Sequence, residues 1–168
     1  MSKDIIKEYG DVLHDPSSIV DRPLEVLSVG PKLDIALGGG VPEGSLFIMT
    51  GPEKVGKTVT ALTFCANAQK HYQRKVYYAN IEGRLKKRDL EGIIDLDLDS
   101  EKMQIIGSTE GNILSAEKYL SIVDNIVHTQ PGSLAVVDSF SALSSEAELT
   151  GDLSDMQVMS VQKILAKF

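Results

Sequence analysis

Ser45-Leu46-Phe47-Ile48-Met49-Thr50 runs without a break into Gly51-Pro52-Glu53-Lys54-Val55-Gly56-Lys57-Thr58, and Val59-Thr60-Ala61-Leu62-Thr63-Phe64-Cys65-Ala66-Asn67-Ala68-Gln69-Lys70 follows. The first stretch reads as a strand and the last as a helix of small and apolar residues. The turn between them fits G-x-x-x-x-G-K-[ST], in the strand-to-helix context that this pattern requires. Its glycines leave backbone N–H groups free to wrap phosphate oxygens, and the helix N-terminus adds partial positive charge. Lys57 is placed to reach the β- and γ-phosphates of a nucleoside triphosphate, and Thr58 to offer a hydroxyl to Mg²⁺. The candidate nucleotide site is therefore Gly51, Pro52, Glu53, Lys54, Val55, Gly56, Lys57, Thr58 and Val59.

Upstream, Asp15-Pro16-Ser17-Ser18 and Asp21-Arg22-Pro23 are turn signals, so residues 1–23 read as an arm ahead of a core over 24–168. A short strand is expected within Leu24–Val29. One or two helical turns follow through Leu33, Ile35, Ala36 and Leu37, ending at Gly38-Gly39-Gly40. The triple glycine does not match the dinucleotide fingerprint, because Glu43 stands where its last glycine should be and a strand follows where one should precede. It reads as a flexible turn.

Downstream, Lys75–Glu82 is expected to form a strand with polar groups at its C-terminal end, residues 84–93 a helix, and Met103–Ile106 a third strand. Ser115 is placed to cap a helix whose Ala116, Tyr119, Leu120, Val123, Ile126 and Val127 share one face. After the break at Pro131-Gly132, Ser133-Leu134-Ala135-Val136-Val137-Asp138 is a continuous apolar strand, the pattern of a central parallel strand buried on both sides. Ser154-Asp155-Met156-Gln157 has the capping-box pattern of a final helix. Alternating strands and helices predict an α/β fold, an open, mostly parallel sheet with helices on both faces and ligands at the C-terminal strand ends.

Glu82 and Asp138 end two predicted strands and so share one crevice with the phosphate loop. Asp138 is the candidate Mg²⁺ acid together with Thr58. Glu82 is the candidate that aligns or deprotonates an attacking water, acting with Lys57 as the catalytic pair. Other groups fit less well. Asp95, Asp97 and Asp99 alternate like calcium ligands, but Ser100 replaces the glycine and Ile106 the closing glutamate. His14, His71 and His128 are scattered, and Arg84-Leu85-Lys86-Lys87-Arg88 reads as a solvated face or a phosphate or intersubunit contact.

Composition sets the outer bounds. The net charge of −7, from 17 Lys and Arg against 24 Asp and Glu, gives no bulk basic field, so any nucleic-acid contact is local. The single Cys65 excludes a disulfide framework and reads as core. No apolar run is long enough to span a membrane and no signal peptide is visible, which points to a cytoplasmic location.

Several stretches resemble the RecA-type recombinases. Ser28-Val29-Gly30, Leu33 to Gly40 and Pro42-Glu43-Gly44 are similar to the family's lead-in, and Gly51 to Thr58 to its version of the phosphate loop. Tyr78-Ala79-Asn80-Ile81-Glu82 resembles the strand bearing its catalytic glutamate, and Val136 to Leu143 its second nucleotide motif. The resemblance implies ATP and Mg²⁺ as cofactors and single-stranded DNA as partner. It implies assembly as a homo-oligomer or filament and a role in homologous recombination and DNA repair. It places the start of a DNA-binding loop at Glu148, Leu149, Thr150, Gly151, Asp152, Leu153 and Ser154. It also implies that this chain is an N-terminal portion, since the family continues with further strands and a second DNA-binding loop. Two departures stand out: Asn80 where the family usually has Asp, and no aromatic after Glu82 to stack on adenine. The same core also suits a hexameric helicase motor, a KaiC-like regulatory ATPase, or a nucleotide-binding module without turnover.

Overall fold

The computed structural model describes residues 16–17, 24–146 and 149. Apart from residues 16–17 the expected arm lies outside them, as does the capping box at 154–157 with its helix. Among the described residues, β3 (Val76–Asn80) is the middle of a three-stranded parallel sheet. β4 (Met103–Ile106) lies on one side of it and β5 (Leu134–Asp138) on the other. A short antiparallel ribbon, β1 (Val26–Leu27) with β2 (Val41–Pro42), precedes the sheet.

Strand side chains point alternately to opposite faces, and this alternation assigns a helix to each face. Val76 and Tyr78 of β3, with Met103, Leu134 and Val136, pack with Ala61, Leu62 and Cys65 of α2 (Lys57–Tyr72). Ala79, Ile106, Ala135 and Val137 pack with Ala116, Tyr119, Leu120 and Val123 of α4 (Ala116–Thr129). Ser115 caps α4, its side chain accepting a hydrogen bond from the Lys118 N–H at 3.4 Å. Burial follows the predicted stripe except at Val127, which is exposed. Cys65 is fully buried in the core, and burial pushes its thiol pKa up to about 12, so it behaves as a small apolar side chain.

Three elements differ from expectation. The helix expected over 84–93 is confined to α3 (Lys87–Glu91): the Asp89 carboxylate accepts the Lys86 N–H at its start and Gly92 closes it. β5 was expected to be central, yet its residues are half-buried, because among the described residues only β3 pairs with it. Residues 45–50 were expected to be a strand and carry no ladder among the described residues. They do keep the period of two: Phe47 and Met49 pack inward toward α2, while Leu46 and Ile48 are 76% and 63% exposed.

The lead-in is held to α2 by polar contacts. The Asn67 amide donates to the Ser28 and Val29 carbonyls, and the Tyr72 hydroxyl accepts the Ser28 N–H at 3.1 Å. Beyond the end of α2, Arg74 donates to Glu25, to Glu43 at 3.0 Å and to the Gly132 carbonyl at 3.1 Å, joining the ribbon to the start of β5. α1 (Pro31–Leu37) ends on Gly38 in the left-handed conformation, and Gly40 passes the β1 backbone too closely for any side chain. The triple glycine thus caps a helix and permits a close backbone approach.

Candidate nucleotide site

α2 begins at Lys57, so the phosphate loop ends where a helix N-terminus begins. Gly56 stands ahead of it with a φ of 94°, a left-handed conformation that costs a glycine little, and no side chain caps the helix start. The end therefore presents uncapped N–H groups and partial positive charge, the arrangement that receives anions. The Lys57 ammonium donates to the Gly51 and Pro52 carbonyls, at 2.8 and 2.7 Å, and so is drawn back over its own loop.

Position 58 is the second residue of α2, which aims its side chain at the sheet. The Thr58 hydroxyl donates to Asp138 Oδ2 at 2.9 Å across 80 residues of chain. Asp138 is there because β5 ends opposite Asn80 of β3, in parallel register. That register is extended when the Ile81 N–H donates to the Asp138 carbonyl at 2.9 Å. Glu82 follows immediately, and Ser139 Oγ donates to its Oε1 at 2.8 Å. Ser139 Oγ also lies 2.8 Å from Ser141 Oγ, and since the Ser139 proton is committed to Glu82, Ser141 is the donor in that pair. The Arg84 guanidinium stands 3.5 Å from the other Glu82 oxygen, on the exposed side.

Lys57, Thr58, Glu82 and Asp138 thus come from the three sequence regions expected to meet, and the two carboxylates follow or end neighbouring strands. The donor set suits a small hard cation held partly by phosphate oxygens: one carboxylate, one hydroxyl and a nearby helix N-terminus. Among the described residues no three His, Cys, Asp or Glu side chains cluster as a self-sufficient metal cage, and magnesium bound with a nucleotide does not need one. Of the loop positions expected to contact DNA, Glu148, Thr150, Gly151, Asp152, Leu153 and Ser154 lie outside the described residues. Leu149 is exposed, and its N–H donates to the Ser145 carbonyl at 3.0 Å. Asp97 and Asp99 accept backbone N–H groups two residues ahead of each, as turn carboxylates do, and the basic run at 84–88 forms exposed local ion pairs.

Sequence reasoning missed Tyr78 and Ser139. Tyr78 Oη donates to Asp138 Oδ2 at 2.7 Å, the same oxygen that receives Thr58. Burial, and secondarily the neighbouring carboxylate, push the phenol pKa far up, so the hydroxyl keeps its proton. The Tyr77-Tyr78 pair inside a core strand was the available signal, since a buried phenol O–H needs an acceptor.

A parallel sheet covered on both faces, with a phosphate loop entering a helix and acids at the adjoining strand ends, defines an α/β phosphate-loop nucleotide-binding protein. The comparisons narrow the class. A family model described as the RecA N-terminal domain matches residues 3–168. Protein RecA of Phytoplasma mali is 32% identical over 98% of this chain and 47% of its own length. Protein RecA of Streptomyces venezuelae is 38% identical over 82% of this chain and 34% of its own. The mitochondrial DNA repair protein recA homolog 3 of Arabidopsis thaliana is 32% identical over 94% and 35%. The chain belongs to the RecA family, and it spans less than half the length of these relatives.

Proposed function

We propose that this chain is the nucleotide-binding part of a RecA-type, DNA-dependent ATPase that holds ATP with Mg²⁺ and acts in the cytoplasm. As part of a homo-oligomer or filament on single-stranded DNA, it serves homologous recombination and DNA repair. The observation that carries the reading is the 2.9 Å contact between Thr58 on the loop helix and Asp138 on β5, with Glu82 held by Ser139 on the next strand end.

In this reading the loop amides and Lys57 bind the triphosphate, with Lys57 leaving its two carbonyl partners for phosphate oxygens. Thr58 and Asp138 would hold magnesium, which would supply positive charge against that building on the transferring phosphoryl group. Ser141 and Ser139 orient Glu82 through a relay of hydroxyls, so that Oε2, exchanging the Arg84 guanidinium 3.5 Å away for the attacking water, is the oxygen that aligns or deprotonates it. The name of the Arabidopsis relative, a DNA repair protein, supports the cellular role. The segment starting at Glu148 is the proposed DNA-facing loop. Its acidic Glu148 and Asp152 make backbone amides better contacts than its side chains.

Isothermal titration with ATP and Mg²⁺ tests the binding site. Lys57→Ala is expected to weaken affinity by at least about tenfold, the worth of a lost charged contact, and unchanged affinity would overturn the site. In steady-state hydrolysis with single-stranded DNA, Glu82→Gln is expected to bind ATP as before and to lose turnover. Normal turnover by that variant would remove Glu82 from the reaction.

A further inference from the structure

We propose that Tyr78 is a positioning residue for the magnesium site, its buried hydroxyl fixing which oxygen of Asp138 faces the cation. The inference rests on the assignment of Thr58 and Asp138 to that site. Tyr78 is in the middle strand, fully buried, opposite Val136 in register, with its ring packed against the cluster of Ala61, Leu62 and Cys65. The ring therefore cannot swing away, and the phenol reaches Asp138 from beneath the sheet end rather than from solvent. Its 2.7 Å bond and the 2.9 Å bond from Thr58 both end on Oδ2.

Two donors on one carboxylate oxygen leave the other, Oδ1, as the acceptor available to a bound cation or to its water. Thr58 alone could not hold this orientation firmly. It belongs to the first turn of α2, at the phosphate loop, and its hydroxyl is asked to serve the cation as well. Tyr78 belongs to the middle strand of the sheet, bonded on both sides by β4 and β5. A phenylalanine would fill the same space without the donor. The tyrosine is thus a polar group buried in the core whose acceptor among the described residues is the metal-site carboxylate, which is how outer-shell partners orient a ligand.

The test is Tyr78→Phe, which keeps the ring and removes the hydroxyl. Binding of a fluorescent ATP analogue is titrated with Mg²⁺ and, separately, followed in EDTA, and the thermal unfolding midpoint is recorded for both proteins. The expected result is a Mg²⁺ half-saturation raised about three- to tenfold, the scale of one ordinary net hydrogen bond, with affinity in EDTA unchanged. Wild-type half-saturation in Tyr78→Phe would overturn the proposal, as would an equal loss of affinity with and without Mg²⁺, which marks a role in packing alone. If the wild-type chain itself binds the analogue identically with and without Mg²⁺, the assignment of Thr58 and Asp138 fails instead.

Discussion

The three-stranded sheet and the segment that carries the phosphate loop are built on opposite plans. In the sheet, Val76 and Tyr78 are wholly removed from solvent, and β3 is bonded on both sides. In the loop segment, Leu46 and Ile48 project outward, no ladder forms among the described residues, and contact with the core comes through Phe47 and Met49 on α2. The acids of the candidate site stand on the firm part and the phosphate cradle on the loosely attached part. α2 is the element they share, since it begins with Lys57 and Thr58 and buries Leu62 and Cys65 against β3. The difference implies that order is supplied to the acids by the sheet, and to the loop by α2.

The contrast breaks most easily at its two apolar extremes. Leu62→Ala should cost about 2–5 kcal/mol, because it empties a closed site between α2 and β3. Ile48→Ala should stay within about 0.5 kcal/mol in the 168-residue chain. Urea unfolding of both variants measures this, and equal losses would mean that residues 45–50 are packed as tightly as the sheet.

A smaller effect is expected at the lead-in. A Cβ on Gly40 would lie 2.4 Å from the Leu27 carbonyl oxygen at a φ of 136°, so Gly40→Ala should cost about 1–3 kcal/mol through strain and displacement of β1. Thermal unfolding should show it, and a wild-type midpoint would mean that the ribbon is free to shift.

The smallest effect sharpens the same region by pH. The Asp34 carboxylate accepts from the Ser28 hydroxyl at 2.6 Å and from the Val29 and Gly30 N–H groups. The Ser28 bond first, then the two N–H bonds against an opposing effect of burial, hold its pKa below the ordinary value. A lowered carboxylate pKa stabilises the fold above the unfolded-state value and loses that contribution as pH falls through the folded one. Asp34→Asn should therefore lower the unfolding midpoint slightly at neutral pH, and the gap from wild type should close below about pH 4. A gap that persists in acid would assign the effect to lost geometry rather than to charge.

Much of the fold was legible because local chemistry and tertiary need agreed. Ser115 was recognisable as a cap, and the stripe from Ala116 to Ile126 as a buried face, since a helix that covers a sheet must present apolar residues at its own period. Val127 sat at the margin of that stripe and turned out exposed, because periodicity gives a direction and not the width of the contact. The extent of α3 was overread: the basic run 84–88 has helix-forming residues throughout, but the Asp89 cap at Lys86 starts the helix late and Gly92 ends it early.

The sequence by itself determined the parallel α/β class and singled out the phosphate-loop motif and the strand-end acids Glu82 and Asp138 as candidates, because those depend on residue type, spacing and period. Tertiary structure alone decided which strand is central, that residues 45–50 lack a partner among the described residues, and that Tyr78 and Ser139 attend the two acids. Ladder order and side-chain hydrogen bonds join residues tens of positions apart. Asp138 meets Thr58 across 80 residues and Tyr78 across 60, and no local pattern records such a distance.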